Sequence, residues 1–320
     1  MTNPTEPKKV ATREAYGEAL VEAGGARPDI VVLDADLSAS TRTQLFAEKY
    51  PDRFFNMGIA EANMIGVAAG LAAAGKIPFA STFAVFAPGR VYDQIRLSVA
   101  YPRLGVKIAS THAGLTVGED GASHQSLEDL ALARVLPNMT VIVPADGAET
   151  RAAVFAAIEH EGPVYLRLGR VPVPAIYPPD KRFTVGRYDM LKEGRDVALV
   201  ACGLMVEVCL QAAVTLAAED ILAGVVNAST VKPLDEETLT YVASRAGAVV
   251  TAEEHSVLGG LGGAVTEFLS GIHPVPVVRV GVDDRFGQSG RPGELLEAYG
   301  LTASRVADAA RKAVALKKGR

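Results

Sequence analysis

The 320-residue chain predicts two doubly wound α/β domains in tandem. Three observations carry that expectation. Short β-rich runs alternate with longer helical stretches, the pattern of strands buried in a parallel sheet with helices on both faces. The alternation breaks once, at residues 171–180 (VPVPAIYPPD), where four prolines in ten residues leave no helical or strand period. A 49% hydrophobic content gives each half a core to bury, and the length suits two ordinary domains. The expected division is 1–172 for the first domain, 173–187 for a linker and 188–320 for the second.

In the first half, residues 30–33, 106–110, 140–143 and 164–166 read as buried strands, with helices at 16–23, 60–74 and 127–135. The 60–74 stretch (AEANMIGVAAGLAAA) is apolar or small on every side, which marks a helix for a core or an interface. Beyond the proline break the strands fall at 197–202, 224–226, 248–252 and 275–280, and the helices at 205–218, 235–244, 263–269 and 305–317. No fixed-period repeat is present.

The formal net charge of −5 gives no pull towards nucleic acid or anionic membrane. Apolar runs such as 67–74 are too short to span a bilayer, and the opening MTNPTEPKKVATRE has no secretory apolar core. Cys202 and Cys209 have neither zinc nor disulfide spacing and read as buried thiols. The expectation is a soluble, cytoplasmic protein with no metal ligands of its own.

Glu61 is the lone carboxylate of the 60–74 helix, where it either answers the macrodipole of its own first turn or meets a partner that needs an acid. Residues 118–125 (GEDGASHQ) place Glu119, Asp120 and His124 on a glycine-turned loop, after which Ser126 and Asp129 have the spacing of a capping box. His112 follows the 106–110 strand on the same C-terminal rim, where α/β sheets bind ligands. Phe83 and Phe86, three apart, form one helical turn able to face a flat heterocycle, or simply pack in the core. Arg13, Ser40 and Arg167 lie near strand ends and suit a phosphate if the fold groups them.

The segments NMGIAEANMIGVAAGLA, STFAVF, THAGLTVGEDGASHQSLEDLALARVLPNMTVIVPAD and DRFGQSGRPGELLEAYGLT, in that order, resemble the transketolase family of thiamine-diphosphate enzymes over nearly the whole chain. The resemblance is to its pyrimidine-binding and C-terminal domains. It implies that Glu61 hydrogen-bonds the aminopyrimidine ring, that Phe86 stacks on it with Phe83 as a second wall, and that Asp36 lies near the cofactor. His112, Asp120 and His124 would line the sugar channel, the two histidines taking part in proton transfer. Arg13, Ser40 and Arg167 would bind the substrate phosphate, with Arg170 able to replace Arg167.

The family holds the diphosphate and its Mg²⁺ with a GDG motif followed by an Asn pair, and this sequence has no Asn-Asn pair. The resemblance therefore implies a split transketolase of the pentose phosphate pathway, whose N-terminal subunit is another polypeptide. An α2β2 heterotetramer acting on phosphorylated sugars is expected, with the isolated chain binding cofactor weakly and turning over nothing. Helix 60–74 would face that partner. The TAEEHSVLGGLGGAV segment around His255 reads as packing. Two relatives of similar architecture compete: the β subunit of a 2-oxoacid dehydrogenase E1 component and a 1-deoxyxylulose-5-phosphate synthase-like enzyme. A non-catalytic subunit is a third reading, opposed by the presence of Glu61, Phe86, Asp120 and His124.

Overall fold

A computed structural model describes residues 9–319. Residues 1–8, on which the expected lack of a secretory core partly rests, lie outside the described residues. The strands in chain order are β1 (Lys9–Ala11), β2 (Ile30–Asp34), β3 (Phe54–Asn56), β4 (Ile77–Phe83), β5 (Lys107–Thr111), β6 (Thr140–Ile142), β7 (Val164–Arg167), β8 (Pro172–Pro174), β9 (Asp189–Lys192), β10 (Val197–Ala201), β11 (Ala223–Asn227), β12 (Thr230–Lys232), β13 (Val249–Ser256) and β14 (Val277–Val282).

The first sheet has seven strands in the order β12-β6-β7-β5-β4-β2-β3, parallel throughout except for β12. The second has five, β14-β13-β10-β11-β9, parallel except for β9. The α/β expectation holds, because runs such as Ile30–Asp34 and Val197–Ala201 are buried at every residue and need helices on both faces.

Three local expectations differ from the structure. The proline-rich stretch begins as strand β8, which pairs antiparallel with β1; proline suits such a short, isolated edge. β12 follows the second domain's β11 in the chain yet hydrogen-bonds to β6 of the first sheet, so the two domains interlock. Ser126 is not a helix cap. The helix starts at Asp129, and Asp129 is drawn into an interior ion pair instead.

The helix Glu61–Ala73 is not enclosed. Glu61, Met64, Ile65, Ala68 and Ala69 are buried, whereas Ala62, Asn63, Gly66, Gly70 and Ala73 are exposed. Small side chains on that outer face leave room for another backbone to approach. No helix of the described residues is long and apolar enough to cross a membrane.

Candidate active site

The site lies at the C-terminal ends of β2, β4 and β5, where loops leave the first sheet. Glu61 is the first residue of its helix, and no side chain caps that end. The carboxylate is only 4% exposed, and the Arg90 Nη1 donates to its Oε1 at 2.7 Å. Arg90 itself is 48% exposed, and its guanidinium carbon lies over Phe86, 4.2 Å from the ring centroid. Sequence reasoning passed over Arg90, although it sits four residues beyond Phe86 in the first turn of the helix Pro88–Gln94.

Phe83 closes β4 and Phe86 sits in the turn that follows, so the pair is not one helical turn. Their rings are nonetheless nearly parallel, 10° apart with centroids at 5.8 Å. Phe83 is buried and stacks on His112 at 3.9 Å, so Phe86 offers the more open aromatic surface. The His124 ring stands edge-on to Phe86 at 5.6 Å. Edge-to-face contacts of this kind fix ring orientation at little strain.

His112 follows β5 with φ of 55°, left-handed for a residue with a β-carbon. Its Nδ1 lies 2.8 Å from Thr111 Oγ1 and its Nε2 3.4 Å from Arg13 Nη1. Guanidinium only donates, so Nε2 accepts and the proton resides on Nδ1. Burial, then the nearby charges of Arg13, Arg170 and His124, push the His112 pKa down to about 3. The ring is neutral across the physiological range.

Asp34 explains how the neighbouring loop is set. Fully buried, it accepts from the Leu37 N–H at 2.6 Å and from the Thr41 and Thr43 hydroxyls at 2.7 and 2.8 Å. Those bonds brace the turn that carries Asp36 and Ser40. Asp36 is exposed, has φ of 64°, and accepts from Asn56 Nδ2 at 3.1 Å. The Ser40 carbonyl accepts from Arg13 Nη1 at 2.8 Å. Arg42, another left-handed residue, pairs with Glu14 at 2.7 Å on the same rim. Burial and the charge of Arg42 both lower the pKa of Arg13.

Asp120 and Glu119 lie 3.6 and 3.7 Å from Arg170 Nη1, which also donates to the Val117 carbonyl. Arg167 is elsewhere, against expectation. It is 6% exposed, pairs with the fully buried Asp129 through Nε at 2.7 Å and Nη2 at 3.1 Å, and donates from Nη2 to the Glu254 carbonyl at 2.9 Å. Burial opposes the charge on Arg167, but Asp129 holds its pKa above the ordinary value. The strand alternation of β7 turns this side chain into the domain junction. His255 is buried at the same junction, its Nδ1 2.8 Å from the Ser256 carbonyl.

Ring and charge contacts thus link Glu61, Phe83, Phe86, His112 and His124 into one cluster. Arg13 bridges His112 and Ser40, Asp120 pairs with Arg170, and Arg167 is in the interior. Among the described residues no group of three His, Cys, Asp or Glu side chains could hold a metal ion.

Comparison with known proteins shows the family. Residues 8–174 match the family model for the transketolase pyrimidine-binding domain, and residues 186–306 that for the transketolase C-terminal domain. A putative transketolase C-terminal section of Methanocaldococcus jannaschii is 48% identical over 299 residues, covering 92% of this chain and 93% of that protein. A 6-deoxy-6-sulfo-D-fructose transketolase subunit of a Clostridium species is also 48% identical, covering 93% of this chain and 92% of its own length. A solved structure described as a split gene transketolase, an inactive β4 tetramer, superposes with a TM-score of 0.90 at 60% identity, over 97% of this chain and all of that one. The chain belongs to the transketolase family and carries its pyrimidine-binding and C-terminal domains.

Proposed function

We propose that this chain supplies the cofactor-activating and sugar-reading half of a two-subunit transketolase, which moves a two-carbon ketol unit from a ketose phosphate to an aldose phosphate. The observation that carries the reading is the Glu61–Arg90–Phe86 arrangement. A flat N–H donor already fills the space between a buried carboxylate and an aromatic face, with Glu61 Oε2 left without a hydrogen bond among the described residues. That is the shape and polarity of an aminopyrimidine, so the residues fit that end of thiamine diphosphate. The other end of that cofactor carries a diphosphate and Mg²⁺. Those are assigned to the N-terminal subunit.

Bound thiamine diphosphate would supply a nucleophilic carbon and an electron sink for the transferred unit. Glu61 holds a proton at a pyrimidine nitrogen, in a site of low dielectric where such a bond is strong. Phe86 supports the ring from below, with Phe83 behind it and Asp36 near the subunit boundary. Neutral His112 and half-buried His124 face the ketose oxygens as hydrogen-bonding and proton-transfer groups. Asp120 reads a sugar hydroxyl. Arg13, Ser40 and Arg170 receive the terminal anion, and Arg170 takes the place expected of Arg167.

The exposed face of the helix Glu61–Ala73, with Ile59 78% exposed beside it, is where the N-terminal subunit would seat in an α2β2 assembly. The inactive tetramer of the related split enzyme supports a need for that partner. The sulfosugar relative indicates that the tail anion varies among such enzymes. The test is co-expression with an N-terminal-type subunit, followed by ketol-transfer assays with thiamine diphosphate and Mg²⁺. Activity should require both chains. The chain alone should show little thermal shift with cofactor and the pair a clear one. Full turnover by the isolated chain would overturn the reading.

A further inference from the structure

Between β5 and the helix Asp129–Val135 runs the loop that carries His112, Asp120 and His124. Three of its glycines, Gly114, Gly118 and Gly121, hold φ of 82°, 87° and 73°, and each abuts a different residue of the second domain. A β-carbon on Gly114 would strike the Glu254 carboxylate. One on Gly118 would meet the Pro292 ring at 3.3 Å, and one on Gly121 would strike the Ser289 hydroxyl. The close approach at Gly114 and Gly121 is therefore possible only because these positions lack side chains.

Polar contacts fasten the same surfaces. Buried Glu254 accepts the Thr116 N–H at 2.6 Å. Gln125, also buried, donates from Nε2 to the Leu115 carbonyl at 3.1 Å within the loop and to the Gln288 carbonyl at 3.0 Å across the domain boundary. Gly287 completes the fit, since a β-carbon there would fall on Gln125 Oε1. None of the second-domain residues belongs to the cofactor or sugar set described above.

We propose that Glu254 and residues 287–292 form a rest against which the sugar-reading loop is shaped, making the second domain a positioning element for Asp120. The loop has short 3₁₀ turns, whose hydrogen-bond geometry is poorer than an α-helix's, so contacts from outside the loop weigh more in fixing its shape. Displacing a substrate-contacting group by about 1 Å costs on the order of 100-fold in rate. The kinetic part of this inference rests on the ketol-transfer reading; the structural part does not.

Two variants of the full chain test it: Gly287→Ala, which pushes Gln125 aside, and Gln125→Met, which keeps length but cannot donate. The first measurement is amide hydrogen exchange on the chain alone. Exchange should accelerate within residues 115–125 while the helix Met205–Ala217 is unchanged. The second uses the assembled enzyme with two donors, a ketose phosphate and β-hydroxypyruvate, which carries the two-carbon unit without the further hydroxyls. KM for the ketose phosphate should rise by about tenfold or more, with β-hydroxypyruvate turnover held within about twofold. Unchanged exchange in both variants, or an equal loss on both donors, would overturn the proposal. Faster exchange in a protein whose wild type transfers from neither donor would uphold the rest and defeat the ketol-transfer reading.

Discussion

Two arginine–carboxylate pairs with the same 2.7 Å separation sit in different surroundings, and they do different work. Asp129–Arg167 is closed: neither partner exceeds 6% exposure, and the guanidinium is engaged by two carboxylate oxygens and two carbonyls. Burial alone would raise the Asp129 pKa, yet the Arg167 charge and hydrogen bonds hold it below the ordinary value. Glu61–Arg90 is open. Its acid is 4% exposed, but its arginine is 48% exposed and contributes a single bond, leaving half the carboxylate free. A half-exposed pair is worth little to stability, whereas opening a buried one leaves an uncompensated charge. The difference separates a residue that can change partners from one that cannot.

The sharpest way to break this comparison is Glu61→Ala. Turnover of the assembled enzyme should fall by about 10²–10⁴-fold, the range of a lost proton-handling group, with the unfolding midpoint of the chain unchanged. Steady-state ketol-transfer rates and a thermal melt check both halves. A large drop in the melt would place Glu61 with the closed pair.

Arg167→Met should do the reverse. It strands Asp129 in the interior and costs about 3–5 kcal/mol, read from the denaturant midpoint. The surviving enzyme should keep its KM for a phosphorylated donor, whereas Arg170→Ala should raise that KM. If Arg167→Met raised KM and left stability intact, the interior ion pair would not be the role of Arg167.

The smallest effect is in pH dependence, where the two regions carry opposite signs. The folded pKa of His112, about 3, lies below the ordinary 6.5, so its contribution is complete above pH 6.5 and is lost as pH falls towards 3. Burial raises Glu254, at the closed junction, to about 7 from 4.5; its contribution is complete below pH 4.5 and lost as pH rises through 7. Stability measured against pH should lose part of its acid limb in His112→Asn. It should lose part of its decline between pH 4.5 and 7 in Glu254→Gln. Buried Glu149, also raised to about 7, keeps the remainder.

Much of this was legible in the chain. Buried strands such as 30–33 and 164–166 declare themselves by continuous apolar residues, and the lone acid of helix 60–74 stands out against its neighbours. What escaped was partner choice. Arg167 and Arg170 look alike in YLRLGR, and only the pleat of β7, which turns one inward and leaves the other beyond the strand end, separates them. Ser126 and Asp129 have capping spacing, but a long-range ion pair outcompetes a local cap. Arg90 escaped because its pairing with Glu61 spans 29 positions, beyond any local pattern.

The strand β12 has a consequence for how the protein is made. Its three residues edge the first sheet yet emerge from the ribosome some ninety positions after β6, the strand they cover. Until then that margin of the nascent sheet presents bare amide and carbonyl groups, a template for pairing with another chain. A gene cut at the proline-rich junction would freeze the product at this stage, so neither half is a safe unit to clone by itself.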